Sequence, residues 1–141
     1  MNKALLVPLI FLSTLLSAAD GQFYINGQAA KDISISLGVS SINFGDVYND
    51  SQVESVLVDF YVNAEDSYDY RVKISNDDSN GVLQMSRSSS TGYTGENITY
   101  INTANGSNQR HEFYVDLATE KMSDKLSATI TVMALYNDIP E

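Results

Sequence analysis

Apolar and polar residues alternate with a period of two through nearly every hydrophobic segment of this chain. The segment "VESVLVDFYVN" shows the pattern, since one side of it would carry Val56, Val58, Phe60 and Val62. Successive side chains of a β-strand point to opposite faces, whereas the apolar positions of an amphipathic helix recur every three or four residues. The alternation therefore predicts strands, and no segment shows a sustained helical period.

Seven or eight short strands are predicted in this way, with spacers rich in Ser, Gly and Asn between them. The other segments are "DISISLG", "SINFGDV", "YDYRVKIS", "GVLQMS", "NITYIN", "HEFYVDLA" and "LSATITVMALY". In "SINFGDV" we expect Ile42 and Phe44 to point inward, followed by a turn at Gly45 and Asp46. A series of this kind is typical of an all-β, immunoglobulin-like β-sandwich.

The first nineteen residues have the composition of a secretory signal peptide. Lys3 gives a weakly basic start, residues 4–16 are mostly apolar, and the small residues 17–19 form a cleavage site. A transmembrane anchor needs roughly 20 apolar residues, which is more than this run supplies. We therefore expect cleavage after Ala19, a secreted mature chain of residues 20–141, and no membrane insertion once the leader is removed.

The mature chain is strongly acidic. Without Lys3 it carries seven basic and 18 acidic residues, a net charge of −11. Charge of this sign and size repels nucleic acid and anionic membrane surfaces, so neither is expected as a partner. The chain has no cysteine and so forms no disulfide. A domain of about 120 residues does not need one, because it can bury one good hydrophobic core.

Candidate catalytic groups are scarce. His111 is the only histidine and there is no cysteine, so most nucleophile–base pairs and zinc sites are unavailable. His111 would share a strand face with Phe113 and Val115, and we interpret it as a strand-end or partly buried side chain. The sequence thus predicts no enzyme activity, no cofactor and no metal site.

The loop "NDDSNG" has part of the pattern of an EF-hand calcium loop. The first, third, fifth and sixth positions of that loop would be Asn76, Asp78, Asn80 and Gly81. The twelfth position, which should be glutamate, is Arg87, and no helix is predicted on either side. We interpret the loop as a turn built by Asn and Asp side chains.

The stretch "GQFYINGQAA" would form a strand with a glycine in its apolar face, which consists of Phe23, Ile25, Gly27 and Ala29. Together with the following "KDISIS" it resembles the N-terminal extension of chaperone–usher pilus subunits. The resemblance implies a donor strand, which inserts into the incomplete sandwich of the neighbouring subunit and fills successive pockets there. Glycine would serve where the backbone must come close. Residues 20–30 would then be the extension and residues 31–141 the immunoglobulin-like pilin domain, whose first strand begins with Ile33 and Ile35.

The C-terminal "SATITVMALY" is similar to the pilin strand that borders the acceptor groove and pairs with the chaperone. That role would fall on Ile130, Val132, Ala134 and Tyr136. The resemblance implies a head-to-tail polymer of this chain or related subunits, a periplasmic chaperone, an outer-membrane usher, and a surface fimbria that serves adhesion. Pilins of this family tend to carry a disulfide near the first strand, so the absence of cysteine indicates a divergent member.

A second interpretation is a secreted β-sandwich module that binds a carbohydrate or a receptor and does not polymerise. In such a module residues 22–29 would form a strand of the domain's own sheet. In a pilus subunit taken alone, we expect the same residues to be disordered or loosely placed. The two hypotheses therefore differ in where they place residues 22–29 in an isolated chain.

Overall fold

The computed structural model describes residues 19–29, 32–49 and 51–138. The predicted leader lies outside the described residues except for Ala19, which opens the first strand. The described part contains nine strands and a single-turn 3-10 helix at Thr119–Lys121. The strands are β1 (Ala19–Ala29), β2 (Ser34–Leu37), β3 (Ser41–Val47), β4 (Val56–Asn63), β5 (Asp69–Asn76), β6 (Leu83–Ser86), β7 (Ile98–Thr103), β8 (Gln109–Leu117) and β9 (Leu126–Tyr136).

Two packed sheets form an all-β sandwich, as the alternation predicts. One sheet has five strands in the order β3-β1-β9-β5-β7, and the other has four in the order β2-β4-β8-β6. From β4 onward each strand lies in the sheet opposite to the strand before it. Within the described residues the ladders are antiparallel except for the β1–β9 ladder, which is parallel.

The core lies between the two sheets and is made by the inward faces of the strands. The predicted inward residues of β4, β8 and β9 are confirmed, since they are buried or, for Val56, half-buried. The largest side chains with almost no exposure are Tyr70, Phe23, Phe60, Phe113, Ile74, Leu83 and Met85. One residue at the edge of this face departs from the alternation of "YDYRVKIS", which places Tyr68 on the same side as Tyr70, since Tyr68 is 54 % exposed just before β5 begins.

The expected turn at Gly45 and Asp46 is wrong. Strand β3 continues through both residues to Val47 and pairs with β1 on either side of a register shift at Gly21 and Gln22. Gly45 has a φ of 70°, a backbone conformation that favours glycine. Phe44 is left without a partner in β1, so Phe44 and Gly45 mark a β-bulge, which bends the strand without reversing it.

In this chain the N-terminal segment does not lie free. Strand β1 is a full member of the five-stranded sheet of its own domain, between β3 and β9. The boundary that the sequence suggests near residue 30 is thus a connection between two strands of one sandwich, since β2 follows in the opposite sheet.

Candidate functional site

Strand β1 fills a slot between two strands that do not pair with each other in the described structure. Its first half pairs with β3 from Ala19 to Tyr24, and most of its length pairs with β9 from Gly21 to Ala29. The Ile25 amide adds a hydrogen bond to the carbonyl of Ser40 at 3.0 Å. Two ladders on one strand give it about twice the backbone hydrogen bonds of an edge strand.

The inward face of β1 anchors it in the core. Phe23 has no exposed surface and Ile25 is 4 % exposed. The Phe23 ring packs edge-to-face on Phe44 of β3, with centroids 5.2 Å apart and planes at 77°. Burial of a side chain of this size contributes roughly 1.5–3 kcal/mol, so these two residues account for most of the apolar stabilisation that β1 brings.

Gly27 lies where β1 passes close to β2 of the opposite sheet. A Cβ atom at this position would be 3.1 Å from Cγ2 of Ile35 and 3.2 Å from Cγ of Leu37. These contacts are tighter than ordinary van der Waals separation, so a larger residue would push β2 side chains aside. Gly27 and Ala29 remain exposed, so only Phe23 and Ile25 of the four predicted donor positions are buried in this chain.

The predicted groove strand is the direct neighbour of the predicted donor strand. In the parallel ladder Ile25 pairs with Ile130, Gly27 with Val132 and Ala29 with Ala134. These three β9 residues are buried. Tyr136, the fourth predicted position, is also buried, and its hydroxyl accepts a hydrogen bond from the Glu65 amide at 2.9 Å. The structure therefore brings both predicted sets together within one chain.

Two carboxyl groups meet at the start of this slot. Asp20 of β1 is the register partner of Asp46 of β3. A hydrogen bond to the Asp46 side chain, together with desolvation and charge repulsion, raises the pKa of Asp20, while Lys125 acts in the opposite direction. Ionisation of both carboxyls therefore weakens the pairing between the start of β1 and the end of β3.

A buried polar network, which the sequence did not reveal, surrounds the single histidine. His111 Nε2 lies 2.7 Å from the Tyr70 hydroxyl, and Nδ1 lies 2.9 Å from the Tyr100 hydroxyl. The Tyr70 hydroxyl donates to Gln109 Oε1 at 3.1 Å and so has no proton left for the imidazole. His111 must then donate from Nε2 and accept at Nδ1, which makes it the neutral Nε2–H tautomer.

The surroundings of His111 keep it neutral. Its ring stacks on Phe60 with centroids 5.1 Å apart. Burial, and secondarily the charge of Arg87, lower the pKa of His111 to about 4. Burial likewise raises the pKa of Tyr70 and of Tyr100. His111 shares the face of Phe113, as expected, but it lies inside β8 and is buried, whereas the sequence suggested a strand-end or partly buried position.

The "NDDSNG" loop is a turn held by its own side chains, as the sequence analysis predicts. Asn76 Oδ1 accepts from the Asp78 amide at 2.8 Å. Asp78 accepts from the amide of Asn80 at 3.1 Å and from the amides of Val82 and Leu83 at 2.8 Å. The Asp78 carboxylate is therefore engaged with the backbone.

Residues 19–29, 32–49 and 51–138 contain no cluster of three or more His, Cys, Asp or Glu side chains that could hold a metal ion. The same residues contain no helix of the length and hydrophobicity needed to cross a bilayer.

Comparison with known proteins gives no family assignment. No protein-family model matches this sequence, and no curated protein matches it.

Proposed function

We propose that the mature chain is a structural subunit of a surface fimbria that is assembled by strand exchange. In the filament, β1 of one copy takes the place in the next copy that β1 occupies here in its own domain. The observation that carries this proposal is the position of β1, which separates β3 from β9 and bears two buried apolar anchors, Phe23 and Ile25. With the leader cleaved after Ala19, residues 30–33 are the only covalent link between β1 and the rest of the domain.

Withdrawal of β1 would leave an incomplete sandwich. Strand β3 would lose its only ladder among the described residues, and β9 would lose one of its two neighbours. The space of Phe23 and Ile25 would open a hydrophobic groove along Ala128 and Ile130. Unpaired strand edges beside an apolar groove bind another strand readily, which is the principle of β-augmentation.

The proposed partners follow from this geometry. A strand that passes from each copy to the next is a head-to-tail contact, and such contacts build open fibres. A subunit whose groove is open needs protection before assembly, which a periplasmic chaperone pairing with β9 would give. An outer-membrane usher would then order the exchange, and the secretory leader is consistent with that route. The filament would serve adhesion at the cell surface.

Gly27 offers a test of strand exchange with a matched control on the same strand. Gly27→Arg places a long charged side chain against Ile35 and Leu37, whereas Asn26→Arg places it at an exposed position of the outward face. Both variants should fold alone, because the short covalent tether keeps even a weakened β1 near its own slot, whereas a strand from another copy lacks that advantage. After the mature protein has been unfolded and refolded at high concentration, so that strands can exchange between copies, electron microscopy should show filaments for the wild type and Asn26→Arg and none for Gly27→Arg. Wild-type filament yield from Gly27→Arg would reject the donor role of β1.

The second candidate is a secreted, non-polymerising module that binds a carbohydrate or a receptor. The pairing of β1 within its own sheet favours it, since a free-standing domain needs no exchange. This candidate predicts a monomer at all protein concentrations, by light scattering, even after the domain has been unfolded and refolded in a crowded sample. Polymers that appear under those conditions would exclude it.

A further inference from the structure

A polar cavity of about 600 Å³ opens at the side of the sandwich, where β7 faces the start of β8. It is separate from the β1 slot. Its lining consists of Arg87, Asn102, Asn105, Asn108, Gln109, Arg110, His111 and Glu112. The Glu112 carboxylate is the one acidic side chain in this lining, and it is paired with Arg110. The volume falls within the range of small-molecule sites, which are mostly apolar. A cavity of this size with a polar lining suits a ligand that is itself covered with polar groups.

The polar side chains at the floor of the cavity already have hydrogen-bond partners within the protein. Gln109 accepts from the Tyr70 hydroxyl and donates to the Thr103 carbonyl at 3.0 Å. His111 is held by Tyr70 and Tyr100 as described above. A network in which each member has its partner holds its shape, so the floor is a fixed surface on which a ligand can be positioned.

The rim of the cavity presents mainly hydrogen-bond donors. Asn105 Oδ1 accepts from the Ser107 amide at 3.0 Å and from its hydroxyl at 2.9 Å, which leaves the Asn105 NH₂ group for other partners. Asn108 Oδ1 accepts from Asn63 at 3.0 Å, with the same consequence for its NH₂ group. A ligand on this rim must therefore supply acceptors.

The rim also carries one uncompensated positive charge. The Arg87 guanidinium lies 3.6 Å above the centre of the Tyr100 ring and forms no ion pair within the described part of the chain. Arg110, in contrast, is paired with Asp59 at 3.3 Å and with Glu112 at 2.6 Å. A guanidinium that stacks on an aromatic ring keeps its N–H edge for other partners, and it can bind one carboxylate with two parallel hydrogen bonds.

We propose that this cavity binds an acidic saccharide, with the sugar carboxylate on Arg87 and the hydroxyl oxygens on the NH₂ groups of Asn105 and Asn108. A polyanion such as nucleic acid does not fit, because a single free cation stands against a chain of net charge −10. A neutral sugar would leave Arg87 unused. The inference is independent of strand exchange and holds for a filament subunit and for a free-standing module alike.

The test compares sugars that differ only in the charged group. Isotope-labelled mature protein is titrated with glucuronate, galacturonate and N-acetylneuraminate, and with glucose, galactose and the methyl ester of N-acetylneuraminate as their respective neutral counterparts, while amide and side-chain NMR signals are followed. At least one acidic sugar should shift the signals of Asn105 and Asn108 in a saturable way. Its neutral counterpart should bind about tenfold more weakly or worse.

Variants locate the site and separate charge from shape. Arg87→Gln should weaken binding of the acidic sugar by about tenfold or more, and Asn108→Asp should do the same by repelling the carboxylate. Lys121→Gln removes an equal charge beyond the opposite end of β8 and should leave binding unchanged. The proposal is overturned if none of the three acidic sugars binds, if neutral sugars bind equally well, or if Arg87→Gln and Asn108→Asp both bind as the wild type does.

Discussion

Ile25 of β1 lies directly beside Ile130 of β9 in the parallel ladder, and both side chains are buried in the core. One of these residues belongs to the segment that the sequence suggests is given to a neighbouring subunit. The other belongs to the strand that would receive such a segment. Their pairing within one chain makes the stability of the isolated domain a direct measure of how strongly the slot holds β1.

Ile25→Asp should destabilise the isolated mature chain by roughly 3 kcal/mol or more, because apolar burial is lost and a carboxylate enters the core. Urea unfolding followed by circular dichroism measures the change. Asn26→Asp introduces the same charge at the exposed neighbour and should change the free energy of unfolding by no more than about 0.5 kcal/mol. Equal stability of the two variants would show that β1 is not docked in solution.

A disulfide between β1 and β9 should lock the chain as a monomer. The chain has no cysteine, so Asn26→Cys and Thr131→Cys, which are register partners, would form the only possible bond. The oxidised monomer should form no filaments even at high concentration, whereas the reduced protein should form them after unfolding and refolding at high concentration, as seen by electron microscopy. Filaments from the fully oxidised monomer would mean that assembly does not require β1 to leave its own sheet.

The domain should lose stability as the pH falls from about 6.5 toward about 4. The folded pKa of His111 is about 4, below the ordinary value of 6.5, so the unfolded chain binds more protons in this window and acid favours unfolding. His111→Gln removes this contribution while other carboxyl groups titrate as before. Urea midpoints measured between pH 4 and 7 should therefore fall more steeply for the wild type, and parallel curves would contradict a buried neutral histidine.

The start of β1 should become better protected on acidification. The pKa of Asp20 is raised by its neighbour Asp46, so this contact stabilises the folded state at low pH and is lost as the pH rises through the folded pKa. Asp46→Asn removes the repulsion and should slow hydrogen exchange of the first β1 amides at pH 7. Exchange rates that are the same in the variant and the wild type would show that the two carboxyls do not interact, and Lys125→Gln controls for the nearby cation.

The sequence predicts the strands and their buried faces well, because one face of each sheet is apolar and the other faces solvent. It predicts Val58, Phe60 and Val62 inward, and all three have no exposed surface. It does not predict which slot β1 fills, because alternation identifies the face of a strand and not its neighbours. The bulge at Gly45 was missed for a related reason, since a Gly-Asp pair has the same composition in a turn and in a bulge.

The cavity and its floor lay beyond the sequence because they depend on contacts between distant residues. Tyr70 and His111 are 41 positions apart and hydrogen-bond across the two sheets. The sequence "NITYIN" does not indicate which side of the strand faces the core. The inward position of Tyr100 is therefore visible only in the tertiary structure. Arg87 was noted as the residue that breaks a calcium motif, and its stacking on Tyr100 could not be anticipated.

The short connection between β1 and β2 gives β1 a high effective concentration at its own slot. A strand tethered by so few residues stands near its slot at an effective concentration on the order of millimolar, about a thousandfold above a micromolar solution of other copies. That ratio favours the chain's own strand by roughly 4 kcal/mol. A strand from another copy can displace it only by making contacts that the tethered one does not, and Ala29, exposed here, is a position with contacts still to gain. Under the proposed strand exchange, the isolated domain would be a stored form that converts to polymer slowly, unless the chain is unfolded at high concentration or another protein opens the slot.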